Sequence, residues 1–358
     1  MKTLCHISLD AITQNYQYFQ SRVSPAFVIP VVKANAYGHG AVRITQHLHE
    51  KLGVKTFAVA TLEEAQELAI DFPDITILIF SRVFPSELSS LPANAILTIG
   101  SMHDAEALLT SGVAKLKVHL NVNTGMNRLG VTTEQALELI GNSITNLQIL
   151  GVYSHFSSSD IHASDAFRNQ KNAFSKFVNQ ARGMGFKGLV HFSNNAGTFH
   201  QECPLYDAVR LGIGLYGFDT SPEAHFQKFL SEAMEVKAPL IRVERIQAGE
   251  AVSYAEKWLA SVNTNIGTLR IGYADGYSRS LTNRGMVSLM GNKYPVVGTV
   301  TMDHIMIDLG EDTPEMGEMF TVFGGSSAEV SISRVAKILN TIPYEICCGI
   351  SQRVIRKY

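Results

Sequence analysis

Residues 27–40 read FVIPVVKANAYGHG. The run up to Val32 is apolar throughout, as in strands that are buried on both faces of a parallel sheet. Lys33 stands where this run stops, and glycines punctuate the segment that follows, up to Gly40. The carboxyl ends of parallel strands carry the active sites of α/β folds. A partly buried lysine there can form a Schiff base with a carbonyl compound. The alternative is that its side chain only reaches solvent.

Apolar segments and helical patterns alternate along the chain up to about residue 230. Thr61 and Glu64 form a capping-box pattern at the start of one predicted helix, and residues 165–183 carry an apolar stripe at helical spacing. We predict eight strands, at residues 27–32, 56–60, 75–80, 95–99, 116–122, 149–155, 189–192 and 208–216. Eight βα units in a row favour a (β/α)8 barrel of the TIM type over an open doubly wound sheet.

The pattern changes after about residue 233, where short strands are separated by glycine-rich turns. We predict these strands at residues 239–246, 264–271, 286–290, 296–300, 304–309 and 319–323, with one helix near 333–340. The fold class is therefore α/β with a second, mainly β domain. The predicted division is a barrel at residues 1–232 and a mainly β C-terminal domain at residues 233–358.

Composition excludes several classes of function. Of the 358 residues, 46% are hydrophobic and 17% are charged, which predicts a sizeable core. A net charge of −2 without a basic run gives no reason to expect a nucleic-acid partner. No apolar run is long enough to cross a membrane, and the N-terminus lacks the apolar region of a signal peptide. The four cysteines form no CxxC pattern and no histidine spacing suggests zinc, so we expect no metal and a reducing, cytoplasmic location. Cys347 and Cys348 are expected to alternate across a strand.

Residues 212–217 read GIGLYG, which matches the GxGxxG pattern of dinucleotide sites. No amphipathic helix opens directly after it, and it lies at the last predicted strand of the barrel, so a nicotinamide or flavin site is disfavoured. In barrels, the loops after strands seven and eight often hold phosphate on backbone N–H groups. Glycine lets the backbone approach such an anion. Gly212 and Ile213 are therefore candidate phosphate donors, with Asn195 nearby at the end of the seventh strand.

Three further side chains are predicted at the same barrel mouth. Arg210 lies within an apolar strand, where a cation is costly unless it is paired or used, and the alternative is a structural ion pair. His155 ends another strand, although a lone histidine there is often only a hydrogen-bonded core residue. Arg128 follows the fifth strand, and its guanidinium suits a substrate that bears a carboxylate.

The second domain carries Tyr254, Tyr273 and Met302 in turn-rich, polar segments. Tyrosines are usually amphipathic packing residues, and each of these alone is consistent with that role.

Four motifs together resemble one enzyme family. They are KANAYGHG at residues 33–40, GMNRLG at 125–130, RLGIGLYG at 210–217 and GYADGY at 272–277. In this order they are similar to the alanine racemases that depend on pyridoxal 5'-phosphate (PLP) and join a barrel to a β domain. The resemblance runs from Ile7 to Glu345, nearly the whole chain.

The resemblance implies an isomerase that interconverts L-alanine and D-alanine and supplies D-alanine for peptidoglycan. It implies PLP as cofactor, held on Lys33, and a cytoplasmic homodimer in which Tyr254 acts from the other subunit. Lys33 and Tyr254 would be the bases on opposite faces of the substrate. The implied cofactor-binding residues are Lys33, Tyr37, His155, Asn195, Arg210, Gly212, Ile213 and Tyr344. The implied substrate-binding residues are Arg128, Met302 and Tyr273, the last at the substrate entrance.

Two positions depart from the family pattern. Many relatives have serine where Asn195 stands, although an amide can still donate to phosphate. Many relatives also have a carbamylated lysine at the position of Asn121, and asparagine cannot carry its negative charge. We hypothesise that an anion such as chloride lies beside Arg128 instead.

Other functions stay open on the sequence. The chain could racemise another amino acid or a broader set, such as serine and lysine, with the same pocket chemistry. It could be a non-catalytic PLP-binding protein, although such a protein would not need Tyr254. A PLP-dependent barrel decarboxylase is a third alternative, but the chain is short for that class.

Overall fold

The structure is a computed structural model that describes residues 1–142, 146–161, 164–199, 203–221, 224–325 and 327–358. Its strands are β1 (Leu4–Ile7), β2 (Phe27–Pro30), β3 (Thr56–Val59), β4 (Thr76–Ile79), β5 (Ala95–Ile99), β6 (Leu116–Asn121), β7 (Leu147–Tyr153), β8 (Leu189–His191), β9 (Ala208–Leu211), β10 (Met234–Ile246), β11 (Thr264–Leu269), β12 (Met286–Leu289), β13 (Asn292–Val297), β14 (Ile305–Gly310), β15 (Met319–Gly324) and β16 (Ile355–Lys357). Its helices are α1 (Leu9–Val23), α2 (Lys33–Tyr37), α3 (Ala41–Leu52), α4 (Leu62–Asp71), α5 (Met102–Leu109), α6 (Thr133–Gly141), α7 (Asp165–Gly183), α8 (Ile332–Leu339) and α9 (Pro343–Gly349).

The chain divides by its contacts into two units. The barrel unit contains residues 12–36 and 41–231, and the second unit contains residues 1–11, 37–40 and 232–358. The first eleven residues therefore group with the β-rich part of the chain. The division predicted from the sequence had assigned them to the barrel. The boundary between residues 232 and 233 stays a prediction.

The barrel unit is built on eight parallel strands in the order β2-β9-β8-β7-β6-β5-β4-β3. A parallel bridge between Val31 and Ala58, with the Val32 N–H donating to the Ala58 carbonyl at 2.9 Å, links the two end strands and nearly closes the barrel. All eight predicted strands are present, and the predicted TIM-type barrel is confirmed. The apolar runs form strands because burial inside the barrel and beneath the helices removes them from water.

Two local predictions about the barrel helices are confirmed. Thr61 and Glu64 form the capping box of α4. The predicted stripe on α7 is buried, and its members are Phe167, Gln170, Phe174, Phe177, Val178 and Ala181.

The second unit contains an eight-stranded, largely antiparallel sheet in the order β11-β14-β13-β12-β15-β10-β1-β16. β10 is long enough to pair with β15 through its first half and with β11 through its second half. β1 pairs antiparallel with β10 and parallel with β16, so the two ends of the described chain share one edge. The predicted mainly β C-terminal domain is confirmed.

The expectation for the adjacent cysteines is wrong. Cys347 and Cys348 lie on α9, which starts with Pro343 at its first turn, a favourable place for proline. Cys347 is buried and Cys348 is exposed, because the two neighbours lie on different faces of the helix. No helix among the described residues has the length and apolar character needed to cross a bilayer.

Candidate active site

Lys33 opens a left-handed helical turn just beyond β2. Ala34, Asn35, Ala36 and Tyr37 all have φ near +51 to +52°. Residues with a Cβ resist this conformation at a cost of roughly 1–2 kcal/mol each. Strained backbone of this kind persists only where its surroundings hold it, and it clusters at functional sites.

Hydrogen bonds from the barrel unit support this turn. The Glu64 Oε1 atom accepts the Ala34 N–H at 2.6 Å, while its Oε2 atom accepts the Ala60 N–H at 2.7 Å. The Asn35 side chain accepts the Ala41 N–H at 2.8 Å, which caps the start of α3. The capping carboxylate of α4 therefore also fixes the backbone next to Lys33.

Arg210 lies inside the barrel with only 3% of its surface exposed. Its Nη1 atom donates to the His191 Nδ1 atom at 2.7 Å, and its Nη2 atom donates to the His155 Nδ1 atom at 3.1 Å. Nη2 also donates to the carbonyls of Ser154 at 2.7 Å and Phe192 at 3.0 Å. No carboxylate within the described ranges pairs with Arg210, so the alternative of a structural ion pair is wrong.

The histidines around Arg210 are neutral at physiological pH. Burial, followed by the positive charges of Arg210, Arg128 and Lys33, lowers the pKa of His155 to about 3. Burial and Arg210 also hold the pKa of His191 well below its ordinary value. Burial lowers the pKa of Arg210 itself to about 10, which still leaves it cationic near pH 7. Arg210 is therefore a fixed donor among neutral acceptors.

A third histidine, His119, extends this network, and neither His119 nor His191 was predicted from the sequence. The His191 Nε2 atom lies 3.0 Å from the His119 Nδ1 atom. Because Arg210 donates to the Nδ1 atom of His191, the hydrogen-bond network assigns the His191 proton to Nε2, which then donates to His119. The available signal was the placement of both histidines in apolar strands, β6 and β8.

Backbone donors lie next to Arg210 along the chain. A short helical turn begins at Ile213, and the first N–H groups of such a turn have no acceptor within it. A Cβ atom on Gly214 would lie 2.8 Å from the Phe19 ring and 3.1 Å from the Cβ atom of Asn195, so a larger residue there would force these neighbours to shift. Asn195 is buried, and its amide can donate as well. Buried N–H groups of this kind suit a phosphate.

Arg128 shares a small pocket with His155. The pocket is lined by Asn121, Val122, Asn123, Thr124, Met126, Arg128, Leu129, Ser154 and His155. In the parts of the chain that the structure describes, no carboxylate forms an ion pair with Arg128. The neutral side chain of Asn121 supplies no negative charge there.

Gln170 on α7 fixes the loop after β7, another role that the sequence did not indicate. Its Oε1 atom accepts the Ser157 N–H at 2.9 Å, and its Nε2 atom donates to the His155 carbonyl at 2.9 Å. The sequence pattern correctly predicted that this residue lies on the buried face of α7. Its hydrogen bonds to the loop could not be predicted, because they depend on how the loop folds against the helix.

The second unit carries the predicted tyrosines in two groups. The rings of Tyr37 and Tyr344 have centroids 5.7 Å apart. Tyr254, Tyr273 and Met302 line another pocket, and the exposed fractions of their surfaces are 72%, 44% and 52%. The Met302 carbonyl accepts the Ala274 N–H at 3.0 Å, which orients the peptide at Met302. Among the described side chains, no group of three histidine, cysteine or acidic residues could hold a metal ion.

Comparisons with known proteins cover the whole chain. The family model "Alanine racemase, N-terminal domain" matches residues 7–220, and "Alanine racemase, C-terminal domain" matches residues 233–358. The alanine racemase of Geobacter sulfurreducens is 35% identical over 370 residues, which cover 99% of this chain and 97% of the relative.

Solved structures agree. The alanine racemase from E. faecalis is 34% identical with a TM-score of 0.91, covering 99% of this chain and 98% of that one. The alanine racemase from Bartonella henselae, solved with covalently bound pyridoxal phosphate, is 30% identical with a TM-score of 0.89, covering 100% and 99%. Two family models and full-length relatives thus lead to one conclusion: the chain belongs to the alanine racemase family, whose members are isomerases that interconvert L-alanine and D-alanine.

Proposed function

We propose that this protein racemises alanine with PLP bound covalently to Lys33. The observation that carries the proposal is the buried guanidinium of Arg210, which stays charged among neutral histidines. Arg210 and Lys33 are both close enough to His155 for their positive charges to lower its pKa. A cation that keeps its proton near neutral pH can donate to the pyridine nitrogen of PLP and leave that nitrogen unprotonated. His155 and His191 keep the guanidinium in place.

The described residues fit the other parts of PLP by their chemistry. The Lys33 amine suits its aldehyde. We assign its phosphate to the backbone of Gly212 and Ile213, with Asn195, Tyr37 and Tyr344 as side-chain partners. When bound, PLP delocalises the electrons left behind by the Cα proton of the amino acid.

Two bases on opposite faces then complete racemisation. Lys33 Nζ, released when the substrate amine takes its place on the PLP aldehyde, would remove or return the Cα proton on the face of D-alanine, and Tyr254 Oη would do so on the face of L-alanine. Arg128 and the N–H of Met302 hold the substrate carboxylate, and Tyr273 lines the entrance. A positioned acid–base group contributes roughly 10²–10⁴-fold to the rate.

Tyr254→Phe tests the two-base assignment. We expect this variant, assayed in deuterated water, to lose exchange of the α-hydrogen of L-alanine with solvent, while D-alanine still exchanges its α-hydrogen through Lys33. An equal loss from both enantiomers would contradict the assignment. Turnover of L-serine and L-lysine in the same assay measures the substrate range.

We further propose that the active form is a homodimer in which Tyr254 serves the partner's Lys33. The support is the exposure of Tyr254, since 72% of its surface faces solvent in the single chain. The test mixes two inactive variants, Lys33→Ala and Tyr254→Phe. Random pairing restores about one quarter of wild-type activity, because half of the dimers are mixed and each holds one intact site. No recovery in mixed dimers would show that Tyr254 acts within its own chain.

Beside Arg128, we propose chloride as the negative charge that Asn121 cannot supply. Replacing chloride by a larger anion such as gluconate raises the KM for alanine if this is correct, and leaves it unchanged if it is not. The cytoplasmic location, the supply of D-alanine to peptidoglycan and the absence of nucleic-acid partners stay predictions.

A further inference from the structure

The segment Tyr37–Gly40, which we call the cofactor loop, is held by two side chains near the end of the sequence. The Arg356 Nε atom donates to the Gly38 carbonyl at 3.1 Å. The Tyr358 hydroxyl donates to the His39 carbonyl at 3.1 Å. All of these residues belong to the second unit.

The same guanidinium also reaches the end of α9. Arg356 Nη2 donates to the Ile350 carbonyl at 2.6 Å, and Nη1 donates to the carbonyls of Ser351 at 2.5 Å and Val354 at 2.9 Å. Cations stabilise the carboxyl ends of helices, where the carbonyl oxygens lack a donor within the helix. α9 carries Tyr344 in its first turn. One side chain thus connects the helix of Tyr344 to the loop of Tyr37.

Two glycines let the cofactor loop approach its neighbours closely. A Cβ atom on Gly38, which has φ +82°, would lie 2.2 Å from the Cys347 carbonyl oxygen of α9. A Cβ atom on Gly40, which has φ +98°, would lie 1.8 Å from the Tyr358 hydroxyl. The loop therefore packs directly on the backbone of α9 and on Tyr358.

We propose that Arg356 and Tyr358, which we call the clamp, are positioning residues for cofactor retention. The clamp fixes the spacing between Tyr37 and Tyr344 before PLP arrives, and these tyrosines then bind the phosphate without an ordering cost. The inference rests on the proposed cofactor site. In metal sites, the outer hydrogen-bond partners of a ligand change affinity by about 10–100-fold, and we expect a change of that order here.

The first test replaces Arg356 by lysine, which keeps the charge but cannot reach four carbonyls. The matched control is Lys357→Met, on the exposed neighbour in β16. We expect Arg356→Lys to raise the dissociation constant of PLP, measured by titration of the cofactor-free protein, by about tenfold or more. At saturating PLP, kcat and the KM for alanine should stay within about threefold of wild type, since the clamp touches no reacting atom.

A second pair of variants tests Tyr358 through the loop itself. Gly40→Ala forces the Tyr358 hydroxyl away, whereas Gly185→Ala meets nothing within 4 Å. The two glycines have similar φ angles, +98° and +90°, so both substitutions carry similar backbone strain. A larger loss of PLP affinity in Gly40→Ala than in Gly185→Ala therefore reports the clamp and not the strain.

Hydrogen exchange of the cofactor-free protein separates the clamp from the cofactor site. We expect the amides of residues 37–40 to exchange at least about tenfold faster in Arg356→Lys than in wild type and in Lys357→Met. Wild-type protein that binds no PLP overturns the proposed function. Wild-type binding together with unchanged affinity and exchange in Arg356→Lys overturns the clamp alone, and a lower stability without a change in PLP affinity does so too.

Discussion

Arg210 is a cation buried among carbonyls and neutral imidazoles. Burying an unpaired charge costs several kcal/mol, and five hydrogen bonds offset that cost here. The sequence identified Arg210 and His155 because polar residues stood out in apolar strands. It missed His119 and His191, because a lone histidine on a strand looks like a core residue until the barrel brings β6 and β8 together.

Ala34 gives the sharpest prediction at the scale of a residue. It is exposed and has φ +51°, a conformation that glycine adopts freely. Ala34→Gly should therefore raise the free energy of unfolding of the cofactor-free protein by about 0.5–1 kcal/mol, measured in urea. Ala107→Gly, on the right-handed helix α5, should lower it by about 1 kcal/mol. Equal losses in both variants would show that the left-handed turn stores no strain.

At the scale of elements, a strand could be predicted from the sequence when its own residues favour it, but not when it is short and depends on pairing with other strands. The barrel strands were predictable because each is predominantly apolar. β1 and β16 were not, because Leu4–Ile7 and Ile355–Lys357 are short and become strands only by pairing with each other and with β10. The left-handed turn of α2 was also invisible, since its residues disfavour that conformation and Glu64 holds it from another element.

Gln170 supplies the prediction for an element, since it anchors the loop after β7 to α7. Gln170→Leu keeps the size of the side chain but leaves the Ser157 N–H and the His155 carbonyl without their partners. We expect a loss of about 2–3 kcal/mol in the free energy of unfolding. Gln180→Leu, on an exposed position of the same helix, should change it by less than about 0.5 kcal/mol. A loss in Gln170→Leu no larger than in the control would rule out the anchor.

For the whole molecule, buried ionisable groups predict how stability depends on pH. Burial lowers the pKa values of His119 and His155 to about 3 and that of His191 well below its ordinary value. Below pH 6.5 the unfolded chain therefore binds protons that the folded chain does not. The free energy of unfolding decreases as the pH is lowered. Burial raises the pKa of Glu232 to about 7, so the folded chain holds a proton there that the unfolded chain releases. The proton held by Glu232 cancels the effect of one of the three histidines. The free energy of unfolding therefore changes by about 2–3 kcal/mol per pH unit between pH 6 and 5.

Urea unfolding of the cofactor-free protein at pH 7, 6 and 5 measures this slope. Glu232→Gln removes the opposing group and should steepen the slope by about 1.4 kcal/mol per pH unit. A stability that is constant from pH 7 to 5 would show that the histidines are protonated in the folded chain.

The account depends most directly on a covalent bond between PLP and Lys33. The decisive measurement reduces the PLP-loaded protein with borohydride and maps the labelled peptide by mass spectrometry, with Lys33→Arg as the control. We predict a single phosphopyridoxyl group on Lys33 and none in the control. A label on another lysine, or no label after full incubation with PLP, would contradict the account.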